Sequence, residues 1–410
     1  GLYPQMDART SREPTSLNGV ITDTAGEFET YPIGDSRCQY TINATTCGAV
    51  DGQGTYRYDL NGNNGFGRDL ASELDRMSLF ANITHELANG TESFTELSYY
   101  ESETNLIRHA SGPFSSVKLI MGADNPYNPL GSGPGRLSGP GLDDAMAGVP
   151  AEGLDLIIDN YRFGQVPRIV DNDGDMFRVL QGLRGSQGDW DWETAFSYAK
   201  ATKDDITRNR VSNNLATAAL SDSSMDAFNP FDPTYEGSNI ERILIDVYRK
   251  SETELTTFDF KVSNNELFEL GAGSVAGLIG FEWRKEEYRD DRDPRLDGTI
   301  VFTDYQGDTY PYVSDVVNSS PTGDSSGSRN VTSMFAELQI PLLDNLDVQL
   351  AVRNENYSDI SDGNISVGKA AFGYRPVESL LIRGSWSETF RAPNLVTVNE
   401  GLVARSNTRT

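Results

Sequence analysis

Several residue groups in this 410-residue sequence could begin a metal site, and each of them is incomplete. The segment Asp171–Asp175 (DNDGD) alternates carboxylates as the start of an EF-hand calcium loop does. That loop needs Glu at its twelfth position, which here is Gly182. Two histidines and two cysteines are too few for a zinc site built from nitrogen and sulfur ligands. The sequence therefore predicts no metal site and no cofactor.

Catalytic motifs are equally sparse. No G-x-S-x-G nucleophile elbow occurs, and His85 and His109 fall near a predicted turn and in a predicted loop. The glycine-rich segment Gly131–Gly141 lacks the Lys-Ser/Thr pair of a phosphate-binding loop. The sequence contains many pairs of carboxylates, so residue types alone do not exclude a glycosidase. However, the sequence lacks the helices that alternate with strands in a catalytic barrel. We expect no enzymatic activity.

The two cysteines, Cys38 and Cys47, enclose the polar segment CQYTINATTC. Our preferred interpretation is a disulfide that closes a short surface loop. Such a bond would place the chain in an oxidising compartment. A pair of free thiols is the alternative.

The charge balance excludes several classes of partner. Lys plus Arg is 34 and Asp plus Glu is 61, which gives a formal net charge of −27. Nucleic-acid binding needs a basic face to neutralise phosphates, and docking on an anionic membrane surface needs a basic patch. No run approaches the ~18–20 apolar residues of a membrane-spanning helix.

The dominant pattern is an alternation of apolar and polar residues in unusually long runs. Strands of globular proteins are typically ~5–6 residues long, whereas a tilted strand that crosses a membrane needs ~9–11 residues, apolar outward and polar inward. The runs match the longer class. There are about ten of them, near residues 76–88, 93–107, 176–185, 190–205, 254–265, 273–290, 331–343, 346–359, 365–376 and 379–393.

The connections between these runs alternate between short and long. Tight turns rich in Asn, Gly, Asp and Pro lie near residues 88–92, 186–189, 343–345 and 376–378. Long Gly-, Pro- and Ser-rich connections lie near residues 105–175, 206–250 and 291–330. Short turns on one side and long loops on the other are typical of outer-membrane barrels.

The segment Gly373–Leu395 (GYRPVESLLIRGSWSETFRAPNL) resembles the late-barrel signature of TonB-dependent outer-membrane receptors. Within it, the FRAPN block is the family motif, formed by Phe390, Arg391, Ala392, Pro393 and Asn394. Three further stretches resemble barrel hairpins of the same family, in the family's order: Arg76–Ser102, Asn264–Tyr288 and Met334–Asp359. The resemblance implies an all-β fold, a transmembrane antiparallel β-barrel of ~22 strands to which this chain contributes about ten, with short periplasmic turns and long extracellular loops.

The resemblance also implies a location, a function and partners. The whole protein would be an outer-membrane receptor of a Gram-negative bacterium that imports a scarce nutrient with energy from the TonB complex. Its partners would be outer-membrane lipid, the TonB complex, its own plug domain and a small nutrient, but no nucleic acid. Because we find no plug or TonB box and no closing strands, we interpret the chain as a fragment that would not transport alone. We divide it into residues 1–75 (extracellular loop and strand ends), 76–395 (barrel hairpins) and 396–410 (start of a truncated loop).

Two groups of residues are candidates for contact with the transported ligand. Aromatic residues of the long connections could stack on a ligand: Tyr127, Tyr161, Phe163, Phe228, Phe231, Tyr235, Tyr305, Tyr310 and Tyr312. Charged residues of the polar strand faces should line the lumen: Glu193, Asp259, Glu282, Arg284, Glu337, Arg353, Glu355, Lys369 and Arg383. We interpret the second group as cross-strand ion pairs and plug contacts rather than as a ligand path. The acidity of the chain favours an oligosaccharide over an anionic ferric siderophore.

Two other classes of protein remain as alternatives. One is a different membrane barrel, such as a porin or a secretion channel. The other is a secreted β-rich enzyme or carbohydrate-binding module, in which the apolar strand faces would meet in an interior core.

Overall fold

The structure is a computed structural model that describes residues 7–10, 27–36, 38, 40–41, 46–50, 69–108, 110–112, 117, 119–138, 149–159, 161, 163–232, 234–304, 307–361 and 363–401. These residues form eighteen strands, which in chain order are β1 (Asp7–Thr10), β2 (Glu27–Pro32), β3 (Tyr40–Thr41), β4 (Thr46–Val50), β5 (Glu73–Glu86), β6 (Glu92–Arg108), β7 (Leu119–Met121), β8 (Leu156–Asp159), β9 (Arg168–Gln187), β10 (Trp190–Val211), β11 (Leu244–Leu270), β12 (Gly273–Arg292), β13 (Val301–Thr303), β14 (Thr309–Ser314), β15 (Ser325–Leu343), β16 (Leu346–Tyr357), β17 (Asn364–Val377) and β18 (Leu380–Ser387).

The helices of the described residues are short. They are α1 (Asn213–Leu220), α2 (Tyr235–Ser238), α3 (Pro294–Asp297) and α4 (Leu395–Asn399), with a 3₁₀ helix at Ile240–Ile243. Of the helices in the described ranges, none has the length and apolar character needed to span a bilayer.

Ten long strands form one antiparallel sheet in the order β5-β6-β9-β10-β11-β12-β15-β16-β17-β18. Each long strand therefore pairs with the next long strand along the chain, as expected for a meander in which sequential strands lie side by side. The turn at Asn89–Gly90 shows the local cause: Gly90 adopts a φ of +80°, and the Asn89 side chain accepts a hydrogen bond from the Thr91 backbone N–H at 3.2 Å. The prediction of about ten antiparallel strands is confirmed.

Several strands extend beyond the runs that the sequence pattern indicated. The third long run, predicted near residues 176–185, is a strand over Arg168–Gln187, and β11 has 27 residues. Many of the additional residues are charged, and some of them continue the ladder through cross-strand ion pairs such as Arg249 Nε to Asp290 Oδ1 at 2.7 Å. The alternation of apolar and polar residues does not reveal such extensions, because a strand with solvent on both faces has no apolar residue at every second position.

The ten-stranded sheet has two chemically distinct faces. The apolar face carries large side chains that remain exposed, including Ile279 at 59% and Met334 at 63%. The register aligns these side chains across strands, for example Leu350 opposite Leu338 and Val352 opposite Ala336. The polar face carries the alternating charged residues. The long-strand alternation predicted from the sequence is thus confirmed in register as well as in number.

A second, six-stranded sheet has the order β3-β4-β2-β1-β8-β7. It joins the strands that precede β5 to two short strands from the connection between β6 and β9. Cys38 and Cys47 form a disulfide beside this sheet, with Cys47 in β4. The sequence analysis did not predict this sheet, and the proposed division of the chain at residues 75 and 395 stays a prediction.

The principal hydrophobic core of the described residues lies in the long connections and not in the ten-stranded sheet. We call it the loop core. Its buried side chains come from residues 119–166, 211–243 and 317, and include Met121, Leu130, Leu156, Ile158, Leu220 and Ile240. Helix α1 begins at this core with a side-chain cap, since Ser212 Oγ accepts a hydrogen bond from the Leu215 N–H at 3.1 Å. The loop core gives the long connections a defined structure of their own.

Candidate functional site

Four of the predicted lumen-lining residues meet in one ion-pair network on the polar face. Arg353 contacts Glu282 at 3.1 Å and Glu355 at 2.6 Å, and Arg284 contacts Glu282 at 3.2 Å. Asp259 lies beside this network, directly opposite Glu282 in the β11–β12 ladder. The network joins β12 to β16 across β15, so these charges are satisfied within the barrel wall.

The remaining predicted charges lie apart from that network. Glu193 pairs with Lys261 at 2.7 Å. Glu337 accepts a hydrogen bond from Gln349, whose Oε1 accepts another from Lys369 Nζ at 3.0 Å. Arg383 is exposed in β18. Seven of the nine charges therefore take part in ion pairs or hydrogen bonds with neighbouring side chains. The interpretation of all nine as cross-strand ion pairs and plug contacts stays a prediction.

The FRAPN block folds back against the polar face near the beginning of β15. Arg329, whose side chain is only 8% exposed, donates a hydrogen bond from Nη1 to the Pro393 carbonyl at 2.8 Å and pairs with Glu286 at 2.6 Å. The ring of Phe390 meets Tyr357 edge-on, with ring centroids 5.8 Å apart. Asn394 caps α4 by accepting a hydrogen bond from the Thr397 N–H at 2.6 Å.

This contact was missed at the level of sequence, because Arg329 and Pro393 are 64 residues apart. Arg391 itself is exposed and Ala392 is half-buried. The motif thus contacts the sheet through a backbone carbonyl and an aromatic ring rather than through its arginine.

Ion pairs also occur on the polar face farther along the strands, beyond the ~9–11 residues that a membrane-crossing strand needs. Asp290 accepts hydrogen bonds from Arg249 and Ser251 at 2.7–2.9 Å. Burial by itself would raise the pKa of Asp290, but these hydrogen bonds and the charges of Arg249 and Arg292 outweigh it and hold the pKa below its usual value.

Four of the nine predicted ligand-contacting aromatics are buried in the loop core. Tyr161, Phe163, Phe228 and Phe231 are at most 1% exposed. The Tyr161 and Phe163 rings meet edge-on with centroids 4.8 Å apart, and the Tyr161 hydroxyl donates to the Pro230 carbonyl at 3.1 Å. Burial raises the pKa of Tyr161. In this position the four rings hold the connections together and offer no stacking surface, so their assignment to ligand contact is corrected.

The other predicted aromatics are dispersed. Tyr127 packs against the loop core and donates a hydrogen bond from its hydroxyl to the Met225 carbonyl at 2.7 Å, whereas Tyr235 is 46% exposed at the start of α2. Tyr310 and Tyr312 lie in a small cluster with Phe302, and burial together with the bond to Asp304 raises the pKa of Tyr310 to about 12. Tyr305 lies outside the described residues. The structure does not bring the eight aromatics that it describes to one surface.

A buried carboxylate that the sequence analysis overlooked joins two of the long connections. Asp315 is fully buried, accepts hydrogen bonds from Ser212 Oγ at 2.8 and 2.9 Å and from the Asn214 N–H at 2.8 Å, and pairs with Arg295. No local pattern marks this site, since Ser212 and Asp315 are 103 residues apart. Of the residues that the structure describes, no group of His, Cys, Asp or Glu is arranged to hold a metal ion.

Comparison with protein families gives one match. The family model described as "TonB dependent receptor-like, beta-barrel" matches residues 121–407, which is more than half of the chain. No curated protein matches the sequence.

Comparison with solved structures gives distant matches. The chain is similar to the siderophore receptor PiuA from Acinetobacter baumannii, with 11% identity and a TM-score of 0.37, over 94% of this chain and 48% of that one. It is also similar to a mutant of the ferric enterobactin receptor PfeA from Pseudomonas aeruginosa, with 14% identity and a TM-score of 0.34, over 79% of this chain and 44% of that one. The chain thus spans about half the length of the structures it matches.

Proposed function

This chain belongs to the TonB-dependent receptor β-barrel family, and on that basis we propose that the whole protein imports a scarce nutrient across the outer membrane with energy from the TonB complex. Receptors of this family are transporters of the Gram-negative outer membrane and not enzymes, and this chain is accordingly an outer-membrane barrel segment. The observation that carries the proposal is the ten-stranded meander with one apolar and one charged face.

The orientation in the membrane follows from these faces. The apolar face contacts lipid, because its large side chains are exposed in the chain itself and only a hydrocarbon environment would stabilise them. The polar face lines the lumen. The long connections with the loop core lie on the extracellular side, and the tight turns lie on the periplasmic side.

The partners of the proposed transport are the receptor's own plug domain and the TonB complex. We place the plug domain itself, and the segment that contacts the TonB complex, in parts of the whole protein other than this chain. The charged groups of the polar face support a plug contact, because a barrel lumen lined by carboxylates and guanidinium groups can exchange hydrogen bonds with a polar domain seated in it.

The proposal of transport does not by itself identify the nutrient. The prediction of an oligosaccharide depended on the net charge and on loop aromatics, and four of those rings lie in the loop core. Nothing in the described residues favours an oligosaccharide over a ferric siderophore. The oligosaccharide preference stays a prediction without further support.

The transport proposal is tested by nutrient uptake in cells. We expect deletion of the whole receptor gene, or of the gene for TonB, to abolish high-affinity uptake of the same radiolabelled nutrient, and re-expression of the receptor to restore it. Candidate nutrients are ferric chelates and oligosaccharides supplied at growth-limiting concentration. Uptake that requires the receptor but continues without TonB would contradict the proposal and indicate a porin.

The assignment of the apolar face to lipid makes a separate prediction at Leu350. This residue is the fifth of β16, about halfway along the ~9–11 residues that cross a membrane, and its side chain lies on the apolar face with 43% exposure. Leu350→Arg should lower the free energy of unfolding of the receptor by about 2–4 kcal/mol, the typical cost of a lipid-facing arginine at mid-bilayer. Urea titration in phospholipid vesicles measures this change.

The matched control is the same substitution at the neighbouring residue. Ala351 faces the polar side, between Glu337 and Lys369 of the adjacent strands, so Ala351→Arg should cost well under half as much. Glu355→Gln keeps the size and shape of the side chain, and it should also lower the free energy of unfolding much less than Leu350→Arg. Equal losses at residues 350 and 351 would contradict the assignment of the faces.

A further inference from the structure

Two arginines face each other on the polar face, near its extracellular end. Arg108 of β6 is the direct register partner of Arg168 of β9. The β6–β9 register is continuous down to the ion pair of Glu92 with Arg184, sixteen residues away in each strand, so Arg108 and Arg168 share that pair's side of the sheet. Both arginines lie well beyond the ~9–11 residues next to the periplasmic turn that cross the bilayer.

A β-bulge brings a third arginine to the same place. The register between β10 and β11 shifts by one residue between Thr207 and Arg210, where Asn209 adopts a φ of +57°. After the shift Arg210 is opposite Ile245, which is an even number of residues from Lys261 and therefore on the polar face. A bulge re-aims a side chain in this way without interrupting the sheet. Three adjacent strands thus each present one arginine at the extracellular rim.

The three guanidinium groups lack the carboxylate partners that other strand arginines have. Arg178, Arg249 and Arg353 each pair with a carboxylate at 2.6–3.1 Å. Among the residues that the structure describes, none forms an ion pair with Arg108, Arg168 or Arg210. Arg210 donates from Nη2 only to neutral groups, the Val317 carbonyl at 2.6 Å and Ser319 Oγ at 3.1 Å.

Burial makes this arrangement costly. The Nε–H groups of Arg168 and Arg210 are buried and have no hydrogen-bond acceptor within the described part of the chain. Burial, with a smaller contribution from the charge of Arg168, lowers the pKa of Arg210 to about 10, and burial together with the charge of Arg108 lowers the pKa of Arg168. Like charges directly opposite in a sheet are destabilising, and an unpaired donor out of contact with water costs free energy. A bound anion would relieve both costs.

We propose that Arg108, Arg168 and Arg210 bind an oxyanion group of the transported nutrient at the extracellular rim of the lumen, and that this nutrient is multiply anionic. The proposal depends on the transport function proposed above and specifies its substrate class. Guanidinium groups suit carboxylate, catecholate or phosphate oxygens because their N–H groups donate in pairs. The net charge of −27 does not oppose such a site, because exposed charges more than ~10 Å away are largely screened at physiological salt.

The test is a binding titration on the full-length receptor, purified with its plug, using probes that differ in charge. The probes are a triply negative ferric tricatecholate, ferric citrate, a neutral ferric trihydroxamate and the neutral sugar maltoheptaose, and tryptophan fluorescence reports binding. We expect an anionic probe to bind best and its affinity to fall with added salt. Arg168→Gln should weaken that binding about 10- to 100-fold, since each lost charge-assisted hydrogen bond carries a cost of that order. Arg108 is exposed and has no ion-pair partner among the described residues, and Arg108→Gln should also weaken binding of the anionic probe.

Arg208→Gln is the matched control. Arg208 is two residues from Arg210 but on the opposite face, where it pairs with Asp171 at 2.7 Å and Asp246 at 3.5 Å. This variant should bind the anionic probe as the wild type does. Arg168→Lys, which keeps the charge, should retain more affinity than Arg168→Gln, and a heat-modifiability assay verifies that each variant is folded.

Three outcomes would overturn the proposal. The first is binding of only a neutral probe by the wild-type receptor, which would remove the anionic substrate class while TonB-dependent uptake of that probe still supported transport. The second is equal weakening of neutral and anionic probe binding by the arginine variants, which would indicate a structural role. The third is destabilisation of the receptor without a change in affinity, which would assign the arginines to acidic side chains of the plug.

Discussion

Replacing Phe228 by alanine is expected to destabilise the loop core by about 3–5 kcal/mol, the usual cost of truncating a buried phenylalanine. Phe228 is fully buried, with its ring 5.9 Å from that of Tyr161 and 6.0 Å from that of Phe163. The neighbouring side chains would lose contacts on one side and cannot fully collapse into the space. Native-state hydrogen exchange should therefore become faster in residues 154–166 and 213–232, with little change in the ten-stranded sheet.

Tyr235→Ala is the control for this prediction. Its ring is 46% exposed, so its removal should change local stability by less than ~0.5 kcal/mol. If Phe228→Ala abolished ligand binding while the exchange rates of the connections stayed the same, Phe228 would contact the ligand directly, and its placement in the loop core would be wrong.

Asp315→Ala is expected to separate two of the extracellular connections at a cost of about 3 kcal/mol. Breaking a buried ion pair typically costs ~3–5 kcal/mol because one charge remains unpaired, and the lower end applies because the Arg295 side chain is 28% exposed. The change also removes the acceptor for Ser212 Oγ and for the Asn214 N–H. Because Asp315 joins the connection 212–243 to the connection 293–324, limited proteolysis should accelerate in both connections together.

Two further variants sharpen this result. Arg295→Ala should cost less than Asp315→Ala, and the double variant should cost less than the sum, since the two residues form one pair. Asp308→Ala, at an exposed acid of the same connection, should be cleaved at the wild-type rate. Faster cleavage confined to residues 293–324 would show that Asp315 does not hold the two connections together.

The two buried sites also explain why extracellular contacts were harder to predict than the barrel wall. Loop aromatics such as Tyr161 and Phe228 have the composition expected of a ligand surface, and only their mutual contact removes them from it. Similarly, a chain with a large negative charge suggested a neutral nutrient. Arg108, Arg168 and Arg210 are far apart in sequence and lie together only because their strands are neighbours in the sheet, so the overall charge gave no sign of them.

The barrel wall could be predicted from local patterns: the number of long strands, their antiparallel order and, except after the bulge in β10, the side that each residue faces. These properties are local, because side chains alternate every second residue and a tight turn makes the two strands of each hairpin pair. The FRAPN block indicated the receptor family, which the family model then matched. Each of these features can be recognised within a stretch of about twenty to thirty residues.

The roles of the long connections and of the strand ends became clear only from the folded chain. The loop core, the buried Asp315 and the six-stranded sheet all depend on contacts between residues far apart in sequence, such as Ser212 with Asp315. The bulge at Asn209 shifts the alternation of β10 by one residue, so that Arg210 lies on the polar face, where the pattern before the bulge would not place it. Which residues meet at the extracellular rim therefore depends on register and long-range packing, and no local pattern of residue types records either of these.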